Sequence, residues 1–408
     1  MYDILKAKNG GTKDEVIEFA QALVQCPSSS LGEGQAAALV LERMKALGYD
    51  KAFRDAAGNV VGLLLGREAA PTVLLNGHVD TVPPLDGDAW GGSPYSGRID
   101  AGRLHGLGAA DCKGGIAAQV YAGALLKRSL LPLNGNVIVA VTVAEENGRS
   151  VGVRALMAET LDDLDMKADY AILGEPTDLG LYYGHDGWAE IDVRVEGANP
   201  FHVDDATKAI VDDFRVHDTD RIADPLECIA VHSPRFEDRD GRRRATIRVA
   251  RRLTVADKAR EVLSRMKYDA ARAADAAGCV AVDVAVRQEN QRLYTGRTTM
   301  VRHITHAWAT DPFHPLMERA RHALTAAGCD VRPGKWQLGR LGMGTAGSTL
   351  VEEFGIPTIG YGPGHEDMAH ACGESVEVRK VVECVYGTAA IVHALIGMPV
   401  FGWTGGGM

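Results

Sequence analysis

Nothing in this chain marks a membrane span: it has no run of 18 apolar residues, and its N-terminal MYDILKAKNGGTKDEV lacks the basic and apolar regions of a signal peptide. A cytoplasmic protein is expected. Excess positive charge is also missing. The formal net charge of -10 argues against a nucleic-acid partner, because phosphate binding needs concentrated Lys and Arg. One basic run, RRRATIRVARR from Arg242 to Arg252, goes against this balance and reads as a solvated strand edge. No CxxC pair occurs, and the cysteines at 26, 112, 228, 279, 329, 372 and 384 are scattered. Neither a disulfide framework nor a thiolate zinc site is indicated, so the thiols are expected to be reduced. Low-complexity tracts and internal repeats are absent as well.

A chain of 408 residues exceeds the size at which single cores usually stop growing, so two domains are expected. Short apolar strands, NVVGLLLG, TVLLNGHVD, NVIVAVTVAEE and ADYAILGEPT, alternate with helical stretches such as KGGIAAQVYAGALLKRSLL. That order indicates an α/β sheet with mostly buried strands. From Trp188 the character changes. WAEIDVRVEG and ATIRVARRLT alternate apolar and polar residues, with helices expected at DATKAIVDDFRV and VADKAREVLSRMKYDAARAADAAG. Near 310 the first character returns, with helices at HPLMERARHALTAAG and KVVECVYGTAAIVHALIG. The expected architecture is an α/β domain, residues 1–187 and 307–408, interrupted by an α+β domain at 188–306.

Several of these strands end in metal-capable side chains. His78 and Asp80 share one side of an extended chain, which alone fits a structural hydrogen bond or part of a metal site. Glu145 and Glu146 end a second strand, Glu175 a third, and His370 follows a fourth. Asp111 lies after the glycine-rich HGLGAADCKGG. In open α/β sheets ligands gather at the carboxyl ends of strands. Converging carboxylates repel one another unless a cation neutralises them. A set of two His with Asp and Glu suits Zn, Mn or Co better than Ca or Mg.

In order and approximate spacing, GHVDTVP, GAADCKGG, AEENG, GEPT and GPGHEDMAH resemble the motifs of the M20 metallopeptidases. That family includes aminoacylases, succinyl-diaminopimelate desuccinylase, acetylornithine deacetylase and glutamate carboxypeptidases. The resemblance implies a mixed-sheet catalytic domain with an inserted ferredoxin-like lid and dimerisation domain, two divalent metal ions, a small-molecule substrate and a homodimer formed through the lid. By position, His78 and His370 are the terminal histidine ligands, Asp111 bridges the metals, and Glu146 and Glu175 each serve one metal. Asp80 holds the second ring nitrogen of His78. Glu145 is the general base for a metal-activated water that cleaves a C–N bond. His202 is the oxyanion donor supplied to the other subunit, or else an ordinary loop histidine, and Arg252 anchors a substrate carboxylate.

The pocket departs from the family pattern. Ala250 replaces the aspartate two residues before Arg252, Leu107 and His105 stand where arginine and tyrosine are usual, and Gly373 precedes Glu374 where asparagine is common. GTAGS, residues 344–348, lacks an aspartate. These changes leave the substrate open between an amide and, by hydrolytic deamination, an aryl amine or amidine. A binding protein on a peptidase scaffold is a third reading. His105 and His365 are further pocket candidates. Cys112 and Cys372 flank ligand positions and read as small packed residues. GMGTAG at 342–347 satisfies GxGxxG, but without a preceding apolar strand it does not indicate a nicotinamide cofactor.

Overall fold

The computed structural model describes residues 1–84, 90, 92–147, 149–219, 229–336 and 344–398, with side chains for all of these except 216–219 and 229. Residues 85–89, just after the GHVDTVP motif, and Gly342 and Met343 of GMGTAG lie outside the described residues.

The larger sheet has eight strands, in the order Lys51–Arg54, Val60–Leu64, Asn136–Thr142, Thr72–His78, Tyr170–Leu173, Thr358–Gly360, Leu181–Tyr182 and Pro333–Gly334. Four of them run parallel at its centre, from Asn136–Thr142 to Thr358–Gly360. Antiparallel pairing at Val60–Leu64 makes the sheet mixed. Both faces are covered, which explains why the strand sequences run apolar without alternation. Val73, Leu75, Val137 and Val139 face one core with Phe19, Ile116, Val120 and Val385 of the helices Lys13–Gln25, Gly114–Ser129 and Val378–Ile396. Leu74, Ile138 and Ala140 face the other, against Leu156, Leu350 and Trp308.

A second sheet takes in Gly187–Gly197, Ile229–Val231, Arg242–Leu253 and Ala281–Val286, with the helices Pro200–Thr219 and Ala259–Ala274 on one face. In chain order this is β-α-β-β-α-β with the strands placed second, third, first, fourth, the ferredoxin-like arrangement. Ile191, Val193 and Val195 turn inward, while Asp192, Arg194 and Glu196 turn away, as their alternation requires. The helix at 200 begins five residues before DATKAIVDDFRV. Asn199 accepts the Phe201 N–H at 3.0 Å and Pro200 starts the first turn, so His202 lies on a helix and not in a loop. The next helix starts at Ala259, after the VADK expected to open it. There the Asp257 carboxylate accepts from Thr254 N and Oγ1 and closes a turn.

The arginine-rich run is an interior strand, not the solvated edge its composition suggested. Arg242–Leu253 pairs with Gly187–Gly197 on one side and with Ile229–Val231 and Arg235–Arg239 on the other. Its arginines meet carboxylates of neighbouring segments: Arg242 and Arg244 meet Glu196, Arg243 meets Asp204, Arg248 meets Asp192, and Arg252 meets Asp186. Beyond the second sheet, the hairpin of Gln288–Arg292 and Thr298–Arg302 reaches back to the larger sheet's core. Leu293 and Val301 are buried in the first core, and the Tyr294 hydroxyl donates to Gly58 O at 2.7 Å. Among the described residues no helix is long and apolar enough to cross a membrane.

Candidate active site

Sheet order positions the site. Thr72–His78 lies between Asn136–Thr142 and Tyr170–Leu173, all parallel, so three carboxyl ends emerge side by side. His78 closes the first strand, Glu145 and Glu146 follow the second, and Glu175 follows the third. Asp111 comes from the segment ahead of the helix Gly114–Ser129, and His370 from a loop residue with a left-handed backbone, φ 58°. Two glycines permit this approach. Gly108 has φ 80°, and a Cβ on Gly115 would stand 1.7 Å from the Gly174 carbonyl oxygen beside Glu175.

The side chains form two ligand-like groups that share one member. His78, Asp111, Cys112 and Glu175 make the first and Asp111, Glu146 and His370 the second, with ligand atoms in each within 4.8 Å of one another. His78 Nε2 lies 3.2 Å from Asp111 Oδ1 and 3.7 Å from Glu175 Oε2. On the other side, His370 Nε2 lies 3.6 Å from Asp111 Oδ2 and 2.8 Å from Glu146 Oε1. Asp111 therefore turns one oxygen to each group.

Asp80 does more than face the His78 ring. His78 Nδ1 is 2.9 Å from the Asp80 backbone carbonyl, whereas the Asp80 carboxylate is 3.6 Å away. That carboxylate accepts from Ser30 Oγ at 2.6 Å, Glu145 N at 3.1 Å and Glu146 N at 3.0 Å. It fixes the turn that carries both glutamates. Two more buried acids, to which no role was given from sequence, act similarly. Glu33 Oε1 accepts from Ala144 N at 3.0 Å and Leu31 N at 2.8 Å. The Glu374 carboxylate accepts three amides, those of Gly108, Ala110 and Asp111. Glu374 could have been sought from its spacing, four residues after His370. Glu33 carries no such mark.

The site is rich in negative charge held out of water. Burial pushes Glu145 up to about 8, Glu374 up to about 8 and Glu175 up to about 7. Burial also pulls His370 down, but Glu146 and Asp111 outweigh it and set His370 at about 9. Glu145 Oε2 and Glu175 Oε1 are buried without a hydrogen-bond partner among the described residues. Orphaned carboxylate oxygens beside imidazoles, in groups of ligand-range spacing, fit divalent cations.

The other candidates are placed elsewhere or already engaged. The ring of His202 packs against Gly278, just ahead of the strand Ala281–Val286. Arg252 Nη2 is 2.6 Å from Asp186 Oδ2, and Nε is 3.2 Å from the same oxygen. His105 sits in a short strand opposite Ser375, and His365 Nδ1 accepts from Asp367 N. Cys112 is packed as expected, its Sγ accepting from His78 N at 3.1 Å, yet it also falls within the first ligand group. Cys372 is exposed.

Known proteins share both pattern and fold. The family described as Peptidase family M20/M25/M40 matches residues 74–394. The uncharacterized protein YgeY of Escherichia coli (strain K12) is 25% identical over 403 residues, covering 92% of this chain and 93% of its own. A succinyl-diaminopimelate desuccinylase of Methylorubrum extorquens is 33% identical over 167 residues, 40% of this chain and 43% of the relative. The dipeptidase Dug1p of Saccharomyces cerevisiae has TM-score 0.68 at 14% identity, over 97% of this chain and 98% of its own. The Bacillus subtilis YXEP protein, a dinuclear metal binding peptidase, has TM-score 0.67 at 13% identity, over 94% and 98%. These likenesses support hydrolysis of amide or peptide bonds and lend no support to deamination. By a family pattern that runs through most of its length, the chain belongs to peptidase family M20/M25/M40.

Proposed function

We propose that this protein is a dinuclear metal-dependent amidohydrolase acting on the amide of a small, carboxylate-bearing substrate, of the N-acyl amino acid or dipeptide kind. The observation that carries this reading is the pair of ligand groups joined through Asp111. His78 and Glu175 would hold one cation, Glu146 and His370 the other, and the nitrogen and oxygen donors suit Zn, Mn or Co. When bound, such a pair lowers the pKa of water and polarises the scissile carbonyl.

Glu145 is the general base. It stands beside the ligand Glu146 on the turn that Asp80 holds, with Oε2 free of partners among the described residues. Its carboxylate would take the proton of the attacking water and return it to the leaving nitrogen. Arg252 would anchor the substrate carboxylate by displacing Asp186, which now occupies its guanidinium. His202 is the oxyanion donor in this reading, reaching the centre of a neighbouring subunit in a homodimer.

The test is a substrate panel of N-acyl amino acids, dipeptides and aryl amines, offered to chelator-treated protein before and after Zn, Mn or Co is added. Metal-dependent release of free amino acid from the amides is expected. Ammonia from the aryl amines would move the reading to deamination, and ligand binding with no turnover of any substrate would make the protein a binding scaffold.

A further inference from the structure

We infer that Glu374 is a positioning residue that sets both ligand groups at once, by clamping the backbone of the loop that presents Asp111. This rests on the dinuclear reading above. Glu374 is almost wholly buried, at 1% exposure. It belongs to neither ligand group among the described residues, yet its two oxygens collect three amides of one loop: Oε2 accepts Gly108 N at 2.8 Å, and Oε1 accepts Ala110 N at 2.8 Å and Asp111 N at 2.9 Å.

Three donors on one carboxylate over-determine the loop. Gly108 adopts a left-handed φ of 80° there, and Gly106 N in turn donates to Glu374 O at 3.0 Å, so backbone and side chain of the same residue grip both ends of the turn. Sharing the load among three amides suits a clamp that must hold against repulsion between Asp111 and the neighbouring acids. The consequence is specific. Asp80 and Glu33 brace the Glu145–Glu146 turn, so their loss touches one group directly. Asp111 belongs to both groups, so disturbing its loop disturbs both. Glu374 also lies four residues after His370, and Gly373, at φ 79°, completes the turn between them.

The experiment titrates Co(II) into metal-free wild type, Glu374→Gln and Glu374→Ala, following visible absorption and competition with a chelator, and records the melting temperature of each metal-free protein. Wild type should take up two equivalents. The inference expects both equivalents to weaken together by about 10- to 100-fold in Glu374→Ala, with Glu374→Gln between the two because its amide keeps one accepting oxygen. If Glu374→Ala does not fold, the isosteric Glu374→Gln carries the test alone. Wild-type affinity for both equivalents in a folded variant would overturn the inference, even if its melting temperature fell, since Glu374 would then serve stability only. Weakening of a single equivalent would also overturn it. Failure of wild type to bind two equivalents would instead sink the dinuclear reading itself.

Discussion

The two halves of the site are built differently. His78 and Glu175, each 3% exposed, stand at the ends of strands buried on both faces, and the His78 ring is fixed from behind by the Asp80 carbonyl. Glu146 and His370 stand on loops and are partly open, with the His370 side chain 26% exposed. Strand register places the first pair, whereas carboxylate-to-amide bonds from Asp80 and Glu33 place the turn that carries Glu146. The difference teaches that one half is preformed by the sheet and the other by a layer of buried acids behind it.

Glu145 belongs to the loop half and gives the largest expected effect. Replacing it with alanine should lower kcat by about three orders of magnitude, the middle of the range for a general base, while both metals stay bound. Assaying turnover and metal content on the same sample separates the roles, and loss of metal would make Glu145 a ligand.

Glu33 probes what the buried layer costs. Burial, with help from Asp80, raises its carboxyl from 4.5 to about 7. A raised acid is most compatible with the fold when protonated, so its contribution is full below pH 4.5 and declines as pH rises through 7. Over that window wild type should lose stability relative to Glu33→Gln, by up to about 3 kcal/mol at 1.36 kcal/mol per unit, in denaturant melts of the metal-free protein. Parallel curves at every pH would mean that Glu33 is ordinary in the fold.

The smallest expected effect compares the histidines directly. His78→Ala should destabilise the metal-free protein by about 2 kcal/mol, since it opens a hole at a buried strand end, whereas His370→Ala should leave the melting temperature nearly unchanged. Each should lose the metal of its own half. Equal destabilisation by both would erase the contrast between a strand-built and a loop-built half.

Much of the strand half was legible in the sequence. The apolar runs ending at His78 and Glu175 announce buried parallel strands, and ligands at their carboxyl ends follow from the fold class. The second sheet was legible from alternation in WAEIDVRVEG. What was illegible depends on contacts between distant segments. The Asp80 carboxylate also accepts the amides of Glu145 and Glu146, 65 and 66 residues away, and no local pattern reports that. Arg242–Leu253 looked like a solvated edge because its carboxylate partners sit on other segments of the chain. That His202 lies on a helix depends on the Asn199 side chain accepting the Phe201 amide just ahead of it.

The central claim is that one carboxylate joins two metal sites, and Asp111→Ala tests it most directly. Wild type and the variant would be loaded with excess zinc, desalted and measured for zinc per chain by elemental analysis. Two zinc ions are expected in wild type and none retained in folded Asp111→Ala. A variant that keeps one full equivalent, or both, would contradict the shared bridge.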